Sequence, residues 1–290
     1  MTKRLVIGCG YLGLRVASQW KSRGDHVAVL TRSEERAKFL LSNGFQPIVG
    51  DVMDSDSLTR LPSAETVLHS IGFDRSGTYS KRAVYVDGLR NVLTQIRDRC
   101  RRLIFISSTS VYGQSSGELV DEYSKTEPVE ENGHICVDAE SVVWQFFDRN
   151  QRNDAIILRL AGIYGPGRLL ARIDQLKRHE PLTGNPAAWL NLIHVDDAAQ
   201  AVLDVSERGQ LGTTYMVSDD RPLRRTDYYS ALAKKFGVPQ PRFVELAADS
   251  LEQRRLNKRC VNHRMRHELG VVLRYPTIIE GLNALPEAKP

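Results

Sequence analysis

Three glycines near the start of the chain, Gly8, Gly10 and Gly13, are spaced as Gly-x-Gly-x-x-Gly. The apolar run Leu5-Val6-Ile7 precedes them, and an amphipathic segment beginning Leu14-Arg15-Val16-Ala17 follows. A buried strand, a glycine turn and a helix in that order make a cradle for a pyrophosphate. Gly8 permits a tight turn, Gly10 lets the backbone approach the phosphates, and Gly13 lets helix and strand pack closely, with Tyr11 and Leu12 completing the turn. The free N–H groups and the dipole at the helix start favour the phosphate charge. A glycine turn without a ligand is the competing reading, and the flanking strand and helix weigh against it.

The residues about twenty positions further on decide which dinucleotide fits. A carboxylate there binds the ribose hydroxyls of NAD, but this chain reads Leu30-Thr31-Arg32-Ser33, with no carboxylate before Glu34. A cation and a hydroxyl suit a 2′-phosphate, so Arg32 and Ser33 point to NADP ahead of NAD. Read without a ligand, Arg32 is an exposed cation and Ser33 a helix N-cap.

These residues need a rigid sheet to hold them. Apolar runs at 26–30, 46–49, 66–69, 102–107 and 155–160 read as buried strands. Helical patterns at 34–41, 79–99 and 135–149 fall between them. This alternation predicts an α/β fold, a Rossmann-type doubly wound parallel sheet. From Gly162 onward, Gly165-Pro166-Gly167, Pro181, Gly184-Asn185-Pro186 and Pro222 break the chain into short pieces. The expected division is a dinucleotide-binding domain over 1–165, joined again by 191–220 through a helix at 195–206 and a strand at 213–217. A small, mostly helical C-terminal cap over 166–290 follows, with helices at 227–236, 262–269 and 277–285.

Composition excludes several classes. The chain has 290 residues, 41% hydrophobic and 26% charged, as in ordinary globular proteins. Its net charge of +5 suits an anionic small molecule, and no nucleic-acid-binding motif accompanies it. No apolar run reaches membrane-spanning length, so no membrane partner is expected. Lys3 and Arg4 precede an apolar run, but glycines and Arg15 interrupt it and no cleavage site follows. Cys9, Cys100, Cys136 and Cys260 form no Cys-x-x-Cys pair, which predicts reduced thiols, a cytoplasmic setting and no metal site.

Further segments together resemble the extended short-chain dehydrogenase/reductases, the NAD-dependent epimerase/dehydratase family, across nearly the whole chain. They are Gly50-Asp51-Val52, His69-Ser70-Ile71-Gly72, the 85–93 helix with Asn91, Phe105 to Gly113, Leu158 to Gly167, and Asn191 to Asp197. The resemblance implies that Asp51 and the backbone of Val52 hold adenine, that Ser70 and Ile71 lie beside the cofactor, and that Asn91 is structural. It also implies that Tyr164 contacts nicotinamide or substrate and that Ser108 binds the reacting oxygen. The basic cluster of Arg254, Arg255, Lys258, Arg259, His263, Arg264, Arg266 and His267 would suit the diphosphate of a nucleotide sugar. A homodimer through the 79–99 and 135–149 helices follows by the same analogy.

The catalytic half departs from the family. A Tyr and a Lys four residues later are expected at the start of the helix after the serine strand, and here Asn132 and Cys136 stand in those places. Asparagine has no titratable proton and a thiol is no cation. His134 and Tyr123 are the candidate replacement acids, with Tyr164 and Cys136 behind them. The function expected is an NADP-dependent oxidoreductase or epimerase acting on a sugar-nucleotide-like hydroxyl or carbonyl substrate. The alternative is a non-catalytic NADP-binding redox sensor or regulator.

Overall fold

In a computed structural model, residues 1–244 and 256–285 are described. Their strands are β1 (Lys3–Ile7), β2 (His26–Thr31), β3 (Gln46–Val49), β4 (Ala64–His69), β5 (Cys100–Ser108), β6 (Glu118–Val120), β7 (Ala155–Leu160), β8 (Gly162–Tyr164), β9 (Trp189–Leu190), β10 (Leu192–His194), β11 (Thr213–Val217), β12 (Leu223–Arg224) and β13 (Lys258–Cys260). The α-helices are α1 (Gly13–Ser22), α2 (Glu34–Ser42), α3 (Gly88–Ile96), α4 (Glu131–Arg149), α5 (Leu170–Lys177), α6 (Val195–Arg208), α7 (Arg225–Phe236) and α8 (Ile278–Asn283).

Seven strands form one sheet in the order β3-β2-β1-β4-β5-β7-β11, the doubly wound Rossmann-type arrangement. The pairs from β3 through β5 are parallel. Strand order reverses between β1 and β4, and such a switch point opens a crevice at the carboxyl edge. Register brings the lips of that crevice level, since Ile7 lies opposite Leu30 on one side and His69 on the other. Leu5, Ile7, Leu89, Val92, Leu103 and Val143 pack one core with no measurable exposure. Ser33 caps α2, its Oγ accepting from the Arg36 N–H at 3.2 Å.

Three helices differ from the sequence expectation, the one at 262–269 being only a π-helical turn, Arg264–Glu268. The segment expected to be helical at 79–99 is helical over 81–96, with a π-helical turn, Ala83–Asp87, leading directly into α3. Gly88, the first residue of α3, lies against Val52, where a Cβ would stand 2.7 Å from Val52 Cγ2. Helix α4 starts at Glu131, ahead of the apolar pattern, and so carries Asn132, His134 and Cys136 as helical residues.

The chain groups into two compact units. The first comprises Met1–Val111, Glu130–Arg159 and Ala199–Tyr215. Within it a buried network joins β5, α4 and β7. Ser107 Oγ donates to Glu140 Oε1 at 2.5 Å, and Arg159 donates through Nε at 3.1 Å and Nη2 at 2.7 Å to the same carboxylate. The second unit comprises Tyr112–Val129, Leu160–Ala198 and Met216 onward. It contains parallel ladders β6/β13 and β8/β10, the antiparallel ladder β9/β12, and helices α5, α7 and α8. At its centre His194 is flanked by the rings of Tyr164 and Tyr275, at 5.1 and 4.1 Å. Asp197 accepts from the N–H groups of Arg274 and Tyr275 at 2.7 and 2.9 Å. Asp219, 1% exposed, accepts from the Arg221 N–H, while its Oδ2 has no hydrogen-bond partner. Burial pushes Asp219 up to about 8, with the nearby charges of Asp220 and Asp197 adding to the effect.

Among the described residues no helix is long and apolar enough to cross a membrane, and no three His, Cys, Asp or Glu residues gather as metal ligands. None of the four cysteines is in a disulfide.

Removing one partner of a buried ion pair strands the other. Arg159→Met should therefore destabilise the protein by about 3–5 kcal/mol in urea unfolding, and adding Glu140→Leu should recover much of that loss. For Asp219, the unfolded chain releases its proton near the ordinary carboxylate value while the folded chain keeps it up to about 8, so stability falls as pH rises across that window. Buried His69, held down to about 4, acts in the opposite direction only below its ordinary value of 6.5. Between pH 6.5 and 8 the Asp219 loss, about 1–2 kcal/mol, should show as a falling melting temperature that Asp219→Asn flattens.

Candidate functional site

At the carboxyl edge of the first unit lies a cleft of about 360 Å³ lined by the ends of β1, β2, β3 and β4. The three glycines serve it in three different ways. Gly8 has φ +97°, and a Cβ on it would lie 2.5 Å from the Ile71 nitrogen. A Cβ on Gly13 would collide with the Gly8 carbonyl oxygen and approach Ser70 Oγ to 2.8 Å. A Cβ on Gly10 would meet nothing within 4 Å, so only a ligand can require glycine there. Ser70 fixes the turn by donating from Oγ to the Gly8 carbonyl at 2.9 Å. Helix α1 starts immediately after the turn with no side-chain cap and no acidic residue in its first turn. Its N–H groups and positive dipole end suit a pyrophosphate. The cradle therefore fits a dinucleotide.

Of the residues expected to bind cofactor, Gly8, Gly10, Arg32, Asp51, Val52 and Ile71 line the cleft. Gly13 and Ser70 shape it from behind, and Leu12 is buried. The Tyr11 ring lies 4.3 Å from the Arg15 guanidinium, and the Tyr11 carbonyl accepts from Arg15 Nη1. Ser33 does not line the cleft, and its hydroxyl is the α2 cap. Asp51 is held in its loop, accepting at Oδ1 from the Met53 N–H, while Asn91 Nδ2 donates to the Val52 carbonyl at 2.9 Å. Tyr164 belongs to the second unit, buried, with its hydroxyl donating to the Thr277 carbonyl at 3.3 Å. Burial raises its phenol well above the ordinary range.

The structure adds residues that the sequence reading passed over. Arg36, in the first turn of α2, joins Arg32 at the end of the cleft formed by β2. Phe73, Asp74, Gly77 and Tyr79, from the segment after β4, line the same cavity. A second arginine four positions after Arg32 stood in the sequence, but Arg32 precedes α2, so no helical spacing linked the two. The Asp74 segment left no signal, because only tertiary structure brings it to β2. Cys9 also lines the cleft, and burial pushes its thiol up to about 11.

Ser108 ends β5, half-buried, and its Oγ accepts from the Ser110 N–H at 3.1 Å. Its own O–H stays available to donate to a substrate oxygen. Ser110 Oγ donates to Cys136 Sγ at 3.6 Å, which ties the serine turn to α4. Burial raises the Cys136 thiol, so it is neither a cation nor a thiolate at neutral pH. His134 is exposed and lies two residues from buried Cys136, a spacing that turns it to another face of the helix. Lys81 Nζ donates to Asn132 Oδ1 at 2.9 Å and so brings an ammonium to α4 from another segment. Tyr123 belongs to the second unit, 80% exposed, with the Arg264 guanidinium 5.9 Å from its ring. In the basic cluster, Lys258 is buried and donates to the Tyr112 carbonyl at 2.8 Å, and the His263 and His267 rings stack at 4.3 Å. Arg266 Nε pairs with Asp220 at 3.2 Å. Arg254 and Arg255 lie outside the described residues.

A glycine cradle at the switch point of a 3-2-1-4-5 sheet, with a serine strand beside it, defines a nucleotide-binding class of α/β protein. The model of the NAD dependent epimerase/dehydratase family matches residues 4–218, and the chain belongs to that family. Protein YeeZ of Escherichia coli K12 is 26% identical over 282 residues, covering 95% of this chain and 97% of that protein. A solved structure of a functionally unknown conserved protein from Silicibacter pomeroyi DSS is 26% identical with a TM-score of 0.76, covering 98% of each chain. The UDP-glucuronic acid 4-epimerase of Bacillus cereus, solved with UDP-glucuronic acid and NAD, shares the fold at a TM-score of 0.79 and 20% identity, over 97% of each chain.

The glycine geometry separates folding from binding. Gly10→Val should leave the melting temperature nearly unchanged while weakening NAD(P)H about tenfold or more, measured by ligand fluorescence. Gly13→Ala, which drives a Cβ into the Gly8 carbonyl, should lower the melting temperature itself.

Proposed function

We propose that the chain binds NADP and acts as an oxidoreductase or epimerase of the extended short-chain type, on a hydroxyl or carbonyl group of a nucleotide-sugar-like small molecule. The observation that carries this reading is the cleft itself, a glycine cradle at one end and two arginines, Arg32 and Arg36, where β2 meets it. The absence of a carboxylate before Glu34 in the sequence favours a 2′-phosphate over a bare ribose at that end. Asp51 and the Val52 backbone would hold adenine, and the α1 N-terminus with Gly8, Gly10, Tyr11, Leu12 and Gly13 would hold the pyrophosphate. Ser70, Ile71 and Tyr164 belong to the same assignment, and Ser33 serves it indirectly by capping α2, which carries Arg36. A bound nicotinamide supplies the hydride chemistry. Ser108 would orient the reacting oxygen through its free O–H, and His134 or Tyr123 would handle the proton. The nucleotide-sugar part rests on the ligand of the Bacillus cereus epimerase, a protein that shares the fold. Four cysteines outside any disulfide suit a reducing cytoplasm, and a homodimer through α3 and α4 belongs to the same proposal.

One observation favours a second reading. Asn132 and Cys136 occupy the places of the family's proton-transferring pair, and Cys136 stays a neutral thiol. A chain without turnover would be a non-catalytic NADP-binding sensor or regulator. Incubation with NADPH and a panel of nucleotide-linked keto sugars, followed by absorbance at the nicotinamide band, distinguishes the two. The enzyme reading expects turnover that Ser108→Ala reduces about hundredfold or more with NADPH affinity unchanged. Tight NADPH binding with no turnover across the panel would establish the second reading.

A further inference from the structure

Arg32 is engaged at the mouth of the cleft: its Nη2 donates to Asp74 Oδ2 at 2.9 Å. Asp74 comes from the segment after β4, a different part of the chain from the β2 end where sequence alone looks for a carboxylate. The Asp74 carboxylate is fixed in place, because its Oδ1 accepts from the Ser76 N–H at 3.0 Å and from Ser76 Oγ at 2.6 Å. Its carbonyl accepts from the Gly77 N–H at 3.2 Å, closing a tight turn beside Arg32. The Ser76 hydrogen bonds and the Arg32 guanidinium hold Asp74 down to about 2, so it carries its charge at every working pH. Both partners line the cleft, together with Arg36 and Asp51.

An ion pair this exposed contributes little to folding, so its consequence lies in what it presents to a ligand. A carboxylate at the ribose end accepts hydrogen bonds from the 2′ and 3′ hydroxyls of an unphosphorylated ribose. A 2′-phosphate that sought Arg32 would have to displace Asp74 and then sit beside its charge.

We infer that Asp74 is a specificity-determining residue: from the loop after β4 it supplies the acidic group that β2 lacks, and it holds the preference for NADP below what Arg32 and Arg36 alone would give. The inference rests on the dinucleotide reading of the cleft. A ribose hydroxyl and a ribose phosphate compete for the same corner, and the Arg32–Asp74 pair offers each of them one favourable partner.

The test measures dissociation constants of NADH and NADPH by nicotinamide fluorescence on the full chain, as wild type, Asp74→Asn and Arg32→Ala. Asparagine keeps an acceptor for the Ser76 N–H, and an unchanged melting temperature checks that the loop survives. The expected result for Asp74→Asn is NADPH binding tightened about tenfold and NADH binding weakened severalfold, with the NADPH gain lost when Arg32→Ala is added. Constants that stay within twofold, or that move in the same direction for both cofactors, would overturn the inference while leaving the cleft a dinucleotide site. Failure of the wild-type chain to bind either cofactor would overturn the dinucleotide reading, and the role of Asp74 with it.

Discussion

Everything at the site depends on how closely the first turn of the chain lies against the end of β4. Gly8 and Gly13 have no room for side chains because the Ser70–Ile71 backbone and the Gly8 carbonyl already fill that space. The Ser70 hydroxyl bonds that same carbonyl and holds the two strands' exits together. The contact sets where α1 begins, and so where its uncapped N–H groups point. It also brings the segment after β4 to the rim of the cleft, where it faces the end of β2. A cavity built this way is preorganised, since backbone and packing fix it before any ligand arrives.

The serine strand is anchored on different terms. A desolvated arginine and carboxylate, with Ser107 as third partner, lock β5 to α4 and β7. Such a network adds little net stability compared with apolar packing, but losing either charged partner leaves the other buried without its counter-charge. Neighbouring residues on β5 therefore differ in duty: Ser107 is spent on the network, and Ser108 keeps a free hydroxyl hydrogen.

The sequence made the sheet, its order of elements and the glycine cradle legible because these depend on local signals: an apolar run, a spacing of glycines, a capping serine. The pattern at 79–99 correctly marks a helix but not its π-helical turn, because amphipathic periodicity does not register a local change of winding. Helix α4 extends beyond its apolar stripe for a similar reason, as its first residues are polar and carry no periodic signal. At the site, the residues on β1 and β2 could be read directly, whereas Asp74 and Lys81 could not. Their partners, Arg32 and Asn132, lie about forty and fifty positions away in sequence, and only folding brings them within hydrogen-bond distance. Charged pairs between distant segments leave no periodicity to detect.

Cys9 stands between Gly8 and Gly10 and lines the cleft. Because burial keeps its thiol protonated up to about 11, only about one molecule in ten thousand carries the thiolate at neutral pH. Peroxides and disulfides react with the thiolate, so this sulfur is chemically quiet even though it lines an open cleft. A dinucleotide in this cleft would therefore meet a neutral sulfur, with no thiolate charge beside it.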